Sequence, residues 1–209
     1  MARGDTPALI GLELGDRHAA WAQLGFTVDA DHAVRIGTVT LSFSGEGGGI
    51  RGWSLACDGG APEDVDGIAT GSGAVATAPS RPHPNAATRL DHVVVATPDM
   101  GRTLSALTER GLQVSRIRET GLDGSRARQA FLWAGDVLLE VAGPQEPEGA
   151  GPASLWGLVI VTTAIDTLAD VTGSRVGAIR DAVQAGRRIA TVHAQAHLGV
   201  PLAFMTPHV

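Results

Sequence analysis

Glu140 stands in an otherwise apolar run, Val137-Leu138-Leu139-Glu140-Val141. A carboxylate buried there without a partner would cost several kcal/mol. It must therefore be solvated, paired with an arginine, or placed for chemistry, and proton transfer is the chemistry open to it. His92 follows Asp91 at the head of the run Val93-Val94-Val95. Its imidazole either contacts a metal or substrate or is a buried, hydrogen-bonded histidine. His193 and His197 read as ordinary strand and turn residues. Gly186-Arg187-Arg188 opens a strand. Its guanidiniums could clamp a carboxylate or phosphate bidentately, though a solvated edge is the simpler reading. Trp133 and Trp156 occupy strand positions facing a cup or the core, with core the simpler reading.

Absences narrow the chemistry further. All 16 basic side chains are arginine, which excludes a Schiff-base lysine, a pyridoxal-phosphate anchor and a phosphate-loop lysine. The single cysteine, Cys57, excludes an intramolecular disulfide and any cysteine-rich metal site, and at the end of an apolar strand it reads as inert. The net charge of −6 argues against nucleic acid as a partner. No apolar stretch is long enough to span a bilayer. The polar start, Met1 to Asp5, does not resemble a signal peptide, so the cytoplasm is the default address. The glycine run Gly45-Glu46-Gly47-Gly48-Gly49 lacks the strand–loop–helix setting of a nucleotide-binding loop and reads as a hairpin tip.

The elements that must position these residues repeat along the chain. Leu90–Val95 reads as a strand, and Thr97-Pro98-Asp99 leads into a helix over Met100–Arg110 with a leucine stripe and Gly111 at its C-cap. Strands follow near Leu112–Ile117, Arg128–Trp133 and Val137–Ala142, the last two joined by Ala134-Gly135-Asp136. A second copy runs from Leu155–Val161 through a helix at Ile165–Val171 to strands at Arg188–His193 and Val200–Met205. Aligned copies place Gly157 over His92 and Ala203 over Glu140. A looser third copy has a strand at Ala8–Leu14, a helix over Asp16–Leu24 with an aspartate N-cap, a stretch Val34–Ser42 and a further strand Gly49–Cys57. Residues 58–88, rich in Gly, Pro, Ala and Asp, read as a linker. The expected class is α+β: tandem β-α-β-β-β modules at 89–144 and 153–207 in one domain over 89–209. These share a curved mixed sheet, with a degenerate N-terminal module over 1–57.

Leu90-Asp91-His92-Val93-Val94-Val95-Ala96-Thr97-Pro98-Asp99 and the closing strand Val137-Leu138-Leu139-Glu140-Val141 resemble those of the vicinal-oxygen-chelate superfamily, the glyoxalase, bleomycin-resistance and dioxygenase-like proteins. The resemblance implies paired modules curving round a small-molecule cup. It also implies one divalent ion (zinc, iron, manganese or nickel) bound by a histidine of the first strand and a glutamate of the last. His92 and Glu140 match those positions, with Glu140 also the expected catalytic base. Gly157 and Ala203 depart from them in the second module, so a third ligand must come from elsewhere. His193, on the face of Thr191 by strand alternation, is the candidate.

Two functional classes follow. One is a metal-dependent lyase, isomerase or dioxygenase acting on a small oxygenated metabolite. The other is a metal-free binding protein of the bleomycin-resistance type. Three modules would leave the N-terminal one unpartnered within the chain. Pairing with a twin in a homodimer or packing back as a lid would cover its apolar face.

Overall fold

A computed structural model of the chain describes residues 7–56, 64–74, 80–120 and 127–208. The expected glycine tip at 45–49 lies within it, and Cys57 lies outside the described residues. Two mixed sheets carry the described strands.

The C-terminal sheet holds both expected modules. The first comprises β7 (Ala87–Ala96), helix α2 (Met100–Glu109), β8 (Val114–Thr120), β9 (Ala127–Ala134) and β10 (Val137–Pro144). Asp99 caps α2 by accepting from the Arg102 N–H, and Gly111 takes the left-handed conformation that ends it. Gly135 does the same in the β9–β10 turn. The second module comprises β11 (Ser154–Thr162), a 3-10 turn running into helix α3 (Leu168–Thr172), and strands β12 (Arg180–Asp181), β13 (Arg188–Thr191) and β14 (Leu202–Met205). The strand order is β12-β13-β14-β11-β7-β10-β9-β8. The two first strands, β7 and β11, run antiparallel at the centre, and each lies parallel to its own module's last strand.

The N-terminal third obeys the same rule, which revises the expected module count. Strand β1 (Ala8–Leu14), helix α1 (His18–Ala22), β2 (Val34–Ile36) and β3 (Val39–Phe43) make one abbreviated module. Strand β4 (Ile50–Ala56), expected as a tail of that copy, instead begins another with β5 (Asp64–Val65) and β6 (Ile68–Ser72). Here β1 and β4 pair antiparallel, with β3 parallel to β1 and β6 parallel to β4. The expected linker at 58–88 therefore supplies two strands. Farther along it, His83 accepts the Thr27 N–H on Nδ1 and meets the Arg35 carbonyl through Nε2. Four half-cups in one chain remove the premise from which a homodimer was expected.

Alternating apolar residues explain why the sheets pack together. Leu9, Leu12, Leu14, Leu41 and Leu55 of the N-terminal sheet join Val93, Val95, Leu139, Val141, Leu158 and Phe204 in one continuous core. Phe26 stacks on Phe204 with ring centroids 5.7 Å apart. The expected Asp16 cap of α1 is absent, since Arg17 occupies that position without a side-chain bond. Asp16 instead accepts from Trp21 Nε1 at 3.0 Å and from the Gly199 N–H at 2.6 Å, tying the first module to the last. Among the described residues no helix is long and apolar enough to cross a membrane.

Candidate functional site

The register of the C-terminal sheet decides which side chains share its concave face. Leu138 of β10 and Val159 of β11 flank His92, while Phe131 and Val94 flank Glu140. Opposed residues on neighbouring strands project to the same side. One row across the face therefore reads Trp133, Leu138, His92, Val159, Ala203, and the next reads Arg116, Phe131, Glu140, Val94, Gly157. Trp133, Leu138 and His92 of the first row and Arg116, Phe131 and Glu140 of the second line a cavity of about 770 Å³.

Asp91 is the extra residue of a bulge, since β7 advances by two from His92 to Leu90 while β11 advances by one. The bulge turns its carboxylate into the cavity rather than into the core. There Asp91 accepts from His92 Nδ1 at 3.0 Å and from both terminal nitrogens of Arg187, at 2.8 and 3.2 Å. Arg187 is only 2% exposed and also donates from Nε to the Thr206 carbonyl. Burial alone would raise the Asp91 pKa. The bonds from His92 and Arg187 outweigh it and hold the carboxyl well below the usual carboxylate range.

On the other side of His92, Nε2 faces Glu140 Oε2 at 3.7 Å, too far for a hydrogen bond. Glu140 is fixed from behind by Gln129, whose Nε2 donates to Oε1 and whose own Oε1 accepts from Arg118 Nε at 2.6 Å. A polar line thus runs Arg118, Gln129, Glu140, gap, His92, Asp91, Arg187. The gap between an anchored imidazole and an anchored carboxylate can accept a ligand atom or water bridging the two.

The structure brings His92 and Glu140 together and leaves His193 apart. Strand β13 stops at Thr191, so alternation does not carry on to His193. That residue caps a 3-10 turn with Nδ1 3.1 Å from the Ser174 carbonyl. In the second module the positions facing His92 and Glu140 hold Gly157, Val159, Ala203 and Met205, none offering oxygen or nitrogen from its side chain. Among the described residues no three His, Cys, Asp or Glu side chains cluster as a metal site. His92 and Glu140 alone do not fit a resident divalent ion, because catalytic sites typically take three protein ligands.

Two expectations reverse. Trp133 and Trp156, read as core, are 49% and 57% exposed, and Trp133 lines the cavity. Arg187, read as a solvated edge, is buried as the clamp of a carboxylate in its own chain. Arg188 does lie at the surface, paired with Asp166. Sequence reasoning passed over Asp91, Gln129 and Phe131 as site residues. Only Asp91 carried a signal, a charge inside an apolar strand.

No family model matches the chain, and no curated protein matches it. Among solved structures it is similar to a variant of 4-hydroxymandelate synthase from Streptomyces coelicolor. The TM-score is 0.62 at 13% identity, over 96% of this chain and 92% of that one. It is also similar to a xylose isomerase-like TIM barrel/4-hydroxyphenylpyruvate dioxygenase fusion protein. There the TM-score is 0.61 at 10% identity, over 100% of this chain but 51% of that one. Methylmalonyl-CoA epimerase from Mycobacterium tuberculosis aligns at 18% identity over 65% of this chain and 94% of its own, with a TM-score of 0.46.

Proposed function

We propose, for a chain with the vicinal-oxygen-chelate fold, that the C-terminal cup binds a small oxygenated metabolite and moves a proton on it without a resident metal. The observation that carries this is the facing pair at 3.7 Å, His92 Nε2 and Glu140 Oε2, each held from behind by its own hydrogen bond. Held side chains at a fixed gap are what general acid–base catalysis needs.

A ligand seated in the gap, with a carbonyl beside a C–H bond, would meet Glu140 at that bond. The carboxylate takes the proton and the C–H electrons pass into an enolate. His92, anchored through its Nδ1–H on Asp91, exchanges a proton with the ligand oxygen. Return of a proton from Glu140 to the same face restores the C–H bond after exchange with solvent, with no electron gained or lost. No step is routed through a divalent ion, since the second module's half of the cup cannot supply ligands to one.

The apolar half favours a second reading. Val159, Ala203, Met205 and Ile189 form a small hydrophobic surface beside His92 that suits sequestration of a planar ligand without turnover. Proton magnetic resonance in D2O separates the two readings. The acid–base reading expects the protein to exchange α-protons of small branched carbonyl compounds, and Glu140→Gln to abolish that exchange while leaving ligand-induced shifts of the Trp133 indole signal. Ligand shifts without exchange would establish sequestration. Exchange that survives Glu140→Gln would remove Glu140 from the role.

A further inference from the structure

We infer that the ligand of this cup is an anion, a carboxylate or a phosphate ester, held by Arg116 and Arg118 at the β8 side of the cavity. The inference rests on reading the cup as a ligand site and adds the class of ligand to it.

The register sets both guanidiniums on the concave face. Arg116 opposes Phe131 and Arg118 opposes Gln129, and both arginines line the cavity. Both stack over the same ring, with guanidinium carbons 4.8 and 5.7 Å from the Phe131 centroid. A guanidinium lying on an aromatic face is held in orientation while its N–H edge stays open for a planar anion. Among the described residues neither arginine has a carboxylate partner, whereas Arg35, Arg102, Arg187 and Arg188 all do. Among the described residues Arg17, Arg110, Arg175 and Arg180 also lack a carboxylate partner, but none of them lines the cavity; Arg116 and Arg118 stand side by side on it, with Arg118 bonded only to the neutral Gln129. Like charges set side by side without compensation raise each other's energy, and an anion between them relieves it.

The same register gives the ligand an orientation. Arg116 and Glu140 share a row with β9 between them, so their backbones stand about 10 Å apart across two strand spacings. Trp133, half exposed one row along β9, floors the space toward His92. The ligand is therefore several bonds long. Its anionic end lies at Arg116 and Arg118, a flat or apolar section lies on Phe131 and Trp133, and its reacting end lies at Glu140 and His92. Bidentate guanidinium contacts suit carboxylate and phosphate alike.

Isothermal calorimetry at low salt with three probes tests this: 3-phenylpropanoate, phenyl phosphate and the neutral 3-phenylpropanamide. The wild-type protein should bind at least one anion about tenfold or more tighter than the amide, and the preference should fade as salt is raised. The tighter anion identifies the head group as carboxylate or phosphate. The double substitution Arg116→Gln and Arg118→Gln, both at solvent-reachable positions, should remove that preference, bringing anions and amide to the same affinity. Equal affinities for anions and amide in the wild type, no binding of any probe, or an anion preference that survives the double substitution would each overturn the inference. The assay reads no proton transfer. An inert Glu140 in the exchange experiment would thus sink the acid–base reading while leaving this one standing, and the reverse holds equally.

Discussion

Replacing Arg187 by Met removes the keystone of the buried polar line and keeps most of its volume. Arg187 and Asp91 are almost wholly shielded from water, and the clamp is bidentate. In the variant Asp91 keeps His92 and a longer contact from Arg89 at 3.3 Å, but loses its main counter-charge. Breaking a buried pair by removing one partner costs about 3–5 kcal/mol. For a chain of this size that corresponds to a fall in melting temperature of about 10 °C. The pH dependence tests the cause. Asp91's folded pKa lies below its unfolded value, so its stabilising contribution is complete above the unfolded carboxylate range and fades as pH falls toward the folded pKa. Without Arg187 the His92 bond alone opposes burial, and the carboxyl's folded pKa rises above its wild-type value. Between the two folded pKa values the variant binds a proton that the wild type does not. The stability gap should therefore be widest near neutrality and shrink toward about pH 4. Urea denaturation of both proteins across that range measures it. A loss below about 1 kcal/mol, or a gap constant with pH, would refute the claim that the buried Asp91 carboxylate depends on Arg187 as its main counter-charge.

Asp16→Ala should cost about 3 kcal/mol, because the buried indole N–H of Trp21 and the Gly199 N–H both lose their acceptor; thermal melts read this directly. Val159→His places an imidazole directly opposite His92, across β7 from Glu140, as a third donor on that face. Zinc affinity by competition with a chromophoric chelator should rise about tenfold or more over the parent, whose ligand binding should be indifferent to chelator. His83 is held neutral by burial, its pKa lowered, with Nδ1 accepting a backbone N–H. The unfolded chain therefore binds its proton first, and stability should fall as pH drops through about 6.5; His83→Gln should flatten that slope in pH-dependent melts.

What could be read from the sequence was what local patterning records. The strands at 90–95 and 137–142 showed through their alternation and apolar runs. The helix from Met100 showed through the Thr97-Pro98-Asp99 lead-in and its leucine stripe, and its end through Gly111. Glu140 and His92 stood out as polar residues inside apolar strands. What was missed depends on partners far away in sequence. Strands β5 and β6 carry few apolar residues beyond Val65, Ile68 and a few small side chains, and they exist because β4 offers them an edge. The role of Arg187 depends on Asp91, 96 residues earlier. The placement of His193 failed because alternation was extended beyond the end of a four-residue strand. The exposure of Trp133 comes from facing a cavity, which a one-dimensional pattern cannot tell from facing a core.

The position of β14 bears on how the molecule comes to exist during synthesis. It is made after every other strand described here, yet it lies inside the sheet between β13 and β11. Phe204 on it supports Phe26, and the loop just before it donates the Gly199 N–H to Asp16 near the start of the chain. Until that segment leaves the ribosome, β11 has an open edge, Trp21 sits beside an incompletely bonded Asp16, and the cup lacks its apolar wall. A nascent chain in this state exposes the kind of edge that pairs with the wrong partner. Assembly therefore waits for β14, and its deletion should be more damaging than loss of the exposed edge strand β12.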